Sequence, residues 1–152
     1  MLRGIPPVIS PALMHTLMSM GHGDEIVFAD GNFPAASNAR RLARADGVGV
    51  TELLEAVAPF FPLDQYDDEH ALVMEVVEEY APEPPIWDEF RAALSRSEGR
   101  PVSLTPVERF AFYERARRCF AVVATSESAV YANLILKKGV VYNGAEIIEK
   151  DR

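Results

Sequence analysis

Only one cysteine, Cys119, occurs in the 152 residues, so no disulfide can close within the chain. It precedes the apolar run Phe120–Ala124, where a buried structural thiol is expected. A nucleophilic thiol wants a positive, partly exposed setting, and the adjacent Arg117 and Arg118 leave that alternative open. Basic residues are scarce too: 15 Lys and Arg stand against 23 Asp and Glu, a formal net charge of −8. That excludes a nucleic-acid partner, because phosphate binding needs clustered cations. Arg40, Arg41 and Arg44 do cluster, but they lie near Asp46 and read as a solvated face. No apolar run approaches the roughly 20 residues that span a bilayer, so no membrane partner is expected. The first residues, Met1 to Pro7, lack the charged and apolar regions of a secretory leader, and the expected location is the cytoplasm. Internal repeats and low-complexity tracts are absent.

What the chain does have is enough apolar residue, 49%, for one domain with a proper core. Ser10-Pro11 reads as a helix start, with Leu13, Met14, Leu17 and Met18 at helical spacing and Gly21 as the stop. Glu25–Ala29 reads as a strand buried on both faces. The stretch 35–44 reads as a helix or an irregular crossover. Asp46–Val50 reads as a turn into a short strand, with Thr51 capping a helix to about Val57. Leu63–Tyr66 reads as extended, Ala71–Val77 as a strand and Ile86–Ser95 as a helix. Thr105-Pro106 repeats the start signal for a helix over 107–118. Strands follow at Phe120–Thr125 and Asn133–Lys137. Strands alternating with helices predict a single three-layer α/β/α domain. Its span is 1–141, followed by a polar C-terminal tail, 142–152.

The residues able to do chemistry gather in a few places. In Gly21-His22-Gly23 a histidine, the side chain that titrates near neutral pH, sits between glycines that let a ligand approach. The strand after it ends on Asp30, so a site is expected at the two ends of one buried strand. Arg109 and Tyr113 stand one helical turn apart on one face, with Val107, Phe110, Ala111 and Glu114 opposite. Arg109 supplies a fork of donors and Tyr113 a hydroxyl on an aromatic plate, a pair able to grip a hydroxylated ligand; the plainer alternative is a surface arginine over a half-buried tyrosine. Tyr131 and Asn133 are two apart and would face the same way in extended structure. A phenol and an amide suit sugar hydroxyls, which need donors and acceptors, although an asparagine ending a turn fits as well.

The blocks Met20–Asp24, Asp30, Asn32-Phe33-Pro34, Arg44–Gly47, Glu108–Ala116 and Tyr131–Asn133 with Leu136–Gly139 resemble, in order, the ribose pyranase and fucose mutarotase family. The block 108–116 and Leu63-Asp-Gln-Tyr66 resemble its fucose branch. Gly31, where that branch commonly has alanine, and Ser126, in place of the glycine of a Thr-Gly-Glu turn, depart from the pattern, and the 38–44 loop is shorter than in some relatives.

The resemblance implies a mixed sheet in the α/β/α domain and an L-fucose mutarotase that interconverts α and β anomers without metal or cofactor. It implies that His22 is the proton donor and that Asp30, Asp64, Arg109, Tyr113, Tyr131 and Asn133 bind the sugar. Asp30 could instead orient the imidazole. It further implies a homo-oligomer, a decamer of two stacked pentamers, with sites shared between subunits. Phe33 or Phe112 could contact the methyl group of a fucose-type sugar. Alternatives are pyranose–furanose interconversion of the ribose pyranase type and a monosaccharide-binding protein without catalysis. A hydrolase with a metal on His15, His22, Asp24 and Asp30 is a further one, although their spacing matches no standard metal motif. His15 and His70 read as ordinary, partly exposed histidines.

Overall fold

The strand β1 (Glu25–Ala29) lies in the middle of a six-stranded sheet in which the order of strands is β2-β5-β1-β6-β3-β4. The others are β2 (Leu42–Ala45), β3 (Ala71–Met74), β4 (Thr105–Val107), β5 (Ala121–Thr125) and β6 (Leu134–Lys137). The computed structural model describes residues 1–77 and 82–142. The expected tail beyond Tyr142 lies outside them. β1 pairs parallel with β5, Val27 opposite Val122, and antiparallel with β6, Val27 opposite Ile135. The sheet is therefore mixed. Ile26, Val27, Phe28 and Ala29 are all fully buried, as expected for a strand with no polar alternation.

Alternation along β1 sends Ile26 and Phe28 to one face and Val27 and Ala29 to the other. On the first face they meet helices α1 (Pro11–Ser19), α3 (Val50–Val57) and α4 (Ile86–Glu98), through Leu13, Leu53, Leu54, Trp87 and Phe90. On the second they meet α2 (Ala35–Asn38) and α5 (Arg109–Arg118), through Ala35, Phe112 and Ala116. The α/β/α layering follows from both faces being apolar. Among the described residues no helix is long and apolar enough to cross a membrane. Cys119 is buried, and burial, with Glu25 nearby, pushes its thiol up to about 12, so it packs as an inert side chain.

Ser10 caps α1 as expected, its Oγ accepting from Leu13 N–H at 3.1 Å. Several boundaries differ from the sequence reading. The helix closes on an extended Met20, and the left-handed glycine is Gly23 (φ 85°), not Gly21. The strand expected after Asp46 lies before it, as β2, where Leu42 points to solvent and Ala43 and Ala45 point inward. This inverted pattern hides a strand. Thr105-Pro106-Val107 is no helix start but the sheet-edge strand β4, a position that tolerates proline's missing N–H. α5 begins later, its first N–H groups held by the Glu108 carboxylate. On α5 the buried residues are Phe112 and Ala116, while Phe110 is exposed.

Thr51 does not cap α3 either. Gly49 is the cap residue, and the acceptor comes from the segment after β5: Glu127 Oε2 takes Val50 N–H at 3.0 Å. Glu127 Oε1 also takes Ala129 N–H, and the Glu127 carbonyl takes Gly31 N–H at 2.8 Å. One residue thus ties α3, the end of β1 and the segment leading to Tyr131. Glu127→Ala is expected to cost about 1–2 kcal/mol, the range of a lost helix cap. Urea unfolding followed by circular dichroism measures it, and an unchanged midpoint would contradict this role.

Candidate active site

At the carboxyl end of β1, Asp30 and Asn133 hold each other. Asp30 N–H donates to Asn133 Oδ1 at 2.8 Å, and Asn133 Nδ2 donates to Asp30 Oδ2 at 3.1 Å. Asp30 Oδ1 accepts from the N–H groups of Asn32 and Phe33, closing the turn after the strand. Both residues are 5% exposed. Buried polar groups at this depth must be paired, and these are. Oδ2 keeps one lone-pair direction free of the Asn133 amide, available to a ligand hydroxyl.

Asp30 and Asn133 form part of the wall of a cavity of about 260 Å³. Arg109 and Tyr113 line it from the first turns of α5, one turn apart as the spacing predicts. Phe33 stacks on Tyr113, ring centres 5.3 Å apart at 9°, and also lines the cavity. Phe112 meets Phe33 edge-on but is fully buried and is not a lining residue, so it is not available for the methyl contact considered for it. Met74, Val77 and Val130 add an apolar wall that the sequence reading missed; each looked like an ordinary core or loop residue. Tyr131 completes the polar side. It does not share an extended face with Asn133. Its backbone is left-handed, φ 55°, and its carbonyl accepts from the Trp87 indole N–H.

His22 and Asp64 are not in this cavity. They meet each other beyond the other end of β1, His22 Nε2 lying 3.1 Å from Asp64 Oδ1. A carboxylate only accepts, so Nε2 carries the proton, and Nδ1 is the nitrogen left for a ligand. The His22 side chain is 46% exposed, while that of Asp64 is 4% exposed. Asp64 is seated by its surroundings. Its N–H donates to the Lys137 carbonyl, Leu63 bridges to Lys138, and the His70 Nδ1–H lies between the carbonyls of Asp64 and Asp67. His70 is thus a buried clamp on the loop rather than an incidental histidine. Gly139 allows this close approach, since a Cβ there would collide with the Leu63 carbonyl. Tyr66 packs its ring against His22 at 5.6 Å and bonds Tyr142 through the two hydroxyls.

The seven expected site residues therefore fall into two groups. Asp30, Arg109, Tyr113, Tyr131 and Asn133 share the cavity. His22 and Asp64 lie where Gly23 N–H pairs with Lys138, at the far end of β6 from Asn133. The four residue steps of β1 alone cover about 13 Å at ~3.3 Å per residue. That is several times the reach of a hydrogen bond. Asp30 thus cannot orient the imidazole of its own chain, as the sequence reading allowed; Asp64 does. Among the described residues no three His, Cys, Asp or Glu side chains gather as metal ligands, and His15, His22, Asp24 and Asp30 do not form such a group.

Burial pushes the Asp64 carboxyl up, but the Tyr66 N–H, the His22 hydrogen bond and charge, and the Lys137 charge together hold it below its ordinary value. A carboxyl with a lowered folded value stabilises the fold above its unfolded value near ~3.9 and loses that contribution as pH falls through the folded one. The urea midpoint is expected to fall on acidification below about pH 5. Asp64→Asn is expected to start lower at neutral pH and fall less steeply. Parallel curves for the two proteins would refute the assignment.

The chain is similar in sequence and in fold to known proteins. Fucose mutarotases of Danio rerio and Homo sapiens are 51% and 50% identical over 146 residues, covering 92% of this chain and 94% of each relative. An L-fucose mutarotase of Haemophilus influenzae is 46% identical over 140 residues, 92% of this chain and 97% of its own. Among solved structures, the fucose mutarotase of Streptococcus pneumoniae in complex with L-fucose superposes with a TM-score of 0.88 at 47% identity, covering 93% of this chain and 100% of that one. RbsD of Bacillus subtilis complexed with D-ribose shares the fold at 21% identity, with a TM-score of 0.69 over 88% of this chain and 95% of that one. The pattern of the RbsD / FucU transport protein family matches residues 3–141, a span that includes all seven expected site residues. With that span and about half its residues shared with several members, this chain belongs to the RbsD / FucU family.

Proposed function

We propose that this protein is an L-fucose mutarotase, an isomerase that interconverts the α and β anomers of the free sugar. The observation that carries the reading is the cavity, where polar and apolar walls face each other. Arg109 donates, Asp30 accepts, and Asn133, Tyr113 and Tyr131 can do both, which suits a ring of hydroxyls. Phe33, Met74, Val77 and Val130 offer an apolar surface to the methyl group that distinguishes fucose from hydroxymethyl hexoses. The identity to fucose mutarotases over nearly the whole chain supports the same substrate.

Mutarotation opens a cyclic hemiacetal and closes it on the other face. A proton goes to the ring oxygen, the C1–O5 bond breaks, and the anomeric hydroxyl gives its proton to a base as the aldehyde forms. Rotation about C1–C2 and the reverse steps complete the exchange. In this reading His22 is the proton donor in its doubly protonated form: it gives up the Nδ1 proton to the ring oxygen, while Asp64 keeps the hydrogen bond from Nε2–H and the neutral ring is left with Nδ1 as acceptor. Asp64 thus orients the acid rather than binding the sugar. Asp30, Arg109, Tyr113, Tyr131 and Asn133 bind and orient the sugar.

Because His22 stands beyond the opposite end of β1 from the cavity, the donor for one cavity comes from a second copy of the chain. This supports the shared site; the decamer and the cytoplasmic location that we also propose for the working enzyme rest on the sequence reading, the decamer on its family resemblance alone. Saturation-transfer NMR between the anomers of L-fucose tests the reaction. His22→Ala is expected to lower exchange about 10²–10⁴-fold with the fold intact. A sugar-binding protein without catalysis would bind fucose and leave exchange at the rate in buffer. Co-expressed His22→Ala and Arg109→Ala chains, each inactive alone, are expected to recover exchange at roughly a quarter of the junctions in a random assembly. A mixture as inactive as its components would sink the shared site. Phe33→Ala is expected to lower the preference for fucose over galactose by about tenfold. An unchanged ratio of rates would remove the apolar wall from the specificity argument.

A further inference from the structure

Tyr131 is the one non-glycine residue with positive φ among the described residues, at 55°. Such a backbone is costly for a bulky side chain and persists only where the surroundings impose it. Its downstream neighbours are fixed, Ala132 fully buried and Asn133 bound to Asp30. Its own carbonyl is fixed from the other face of the sheet. Trp87, in the first turn of α4, donates its indole N–H to that oxygen at 2.9 Å. Trp87 is 3% exposed and packed in the cluster with Phe90 and Leu94, so its ring has little freedom to follow a moving partner. The indole is a donor only, and here it satisfies the strained carbonyl. The phenol of the same residue lies on the cavity wall, where Val77 N–H approaches its hydroxyl at 3.4 Å.

We propose that Trp87 is a positioning residue for the sugar site: its indole N–H pins Tyr131 in the left-handed conformation that keeps the phenol on the cavity wall. The proposal rests on the mutarotase reading above. It makes α4, which contributes no residue to the cavity wall, part of the catalytic apparatus. Trp87 is also the single tryptophan of the chain. Its emission therefore reports on the sugar site, because the hydrogen bond links the fluorophore to a residue that meets the ligand.

Trp87→Phe keeps an aromatic ring and removes the donor. It is expected to lower anomer exchange about tenfold, the size of one lost hydrogen bond. In a Tyr131→Phe background, where the hydroxyl being aimed is gone, the same substitution is expected to lower exchange no further. Its cost to the urea midpoint should be the same in both backgrounds. In the unmodified protein, L-fucose is expected to shift or quench the emission in a saturable way. Wild-type exchange in Trp87→Phe, or equal losses of exchange in both backgrounds, would overturn the proposal and leave Trp87 a packing residue. If the unmodified protein exchanges no anomers, the functional reading fails. The emission titration then decides this proposal separately: saturable change supports the link, and unaltered emission refutes it.

Discussion

The reciprocal hydrogen bonds between Asp30 and Asn133 are the constraint on which the site is built. They tie the end of the central strand to the start of its antiparallel neighbour, through one backbone and two side-chain groups in a buried setting. The low dielectric there strengthens satisfied polar pairs and penalises broken ones. The same carboxylate shapes the turn that delivers Phe33, and Phe33 in turn supports Tyr113 by stacking. A single interaction thus sets the cavity floor, its turn and, at one remove, the face of α5.

The other end of β1 is organised by different means. Ion pairs hold the strand ends there, Arg115 on Glu25 at the start of β1 and Lys137 on Asp67 at the end of β6. A loop is drawn against β6 by Leu63, by the His70 clamp and by the missing side chain at Gly139, and the loop carries Asp64 to His22. The cavity end rests on buried, paired side chains, whereas the histidine end is half exposed.

Much of this was legible in the sequence, and for physical reasons. β1 was visible because five residues with almost no polar alternation have few other uses, and Ser10-Pro11 announced α1 by cap chemistry. Asp30, Arg109, Tyr113, Tyr131 and Asn133, which the family resemblance picks out, do line one cavity, while the placing of His22 and Asp30 beyond opposite ends of one strand follows from their sequence positions. Other parts were hidden. β2 buries alanines and exposes leucine, which reverses the usual signal. β4 carries Thr-Pro, which imitates a helix start. The left-handed backbone of Tyr131 has no local cue, since tyrosine is not a residue chosen for that conformation. Glu127 as the cap of α3 and Trp87 as the support of Tyr131 depend on contacts 77 and 44 residues apart. No window of sequence contains such pairs.

The three attachments of Glu127 have a thermal consequence. Fraying of the first turn of α3 releases the carboxylate that also orders Ala129, two residues before Tyr131. Helix ends open at far lower free energy than a central sheet. Warming is therefore expected to loosen the segment before Tyr131 while β1, β5 and β6 remain intact, in a pre-transition below the melting of the fold.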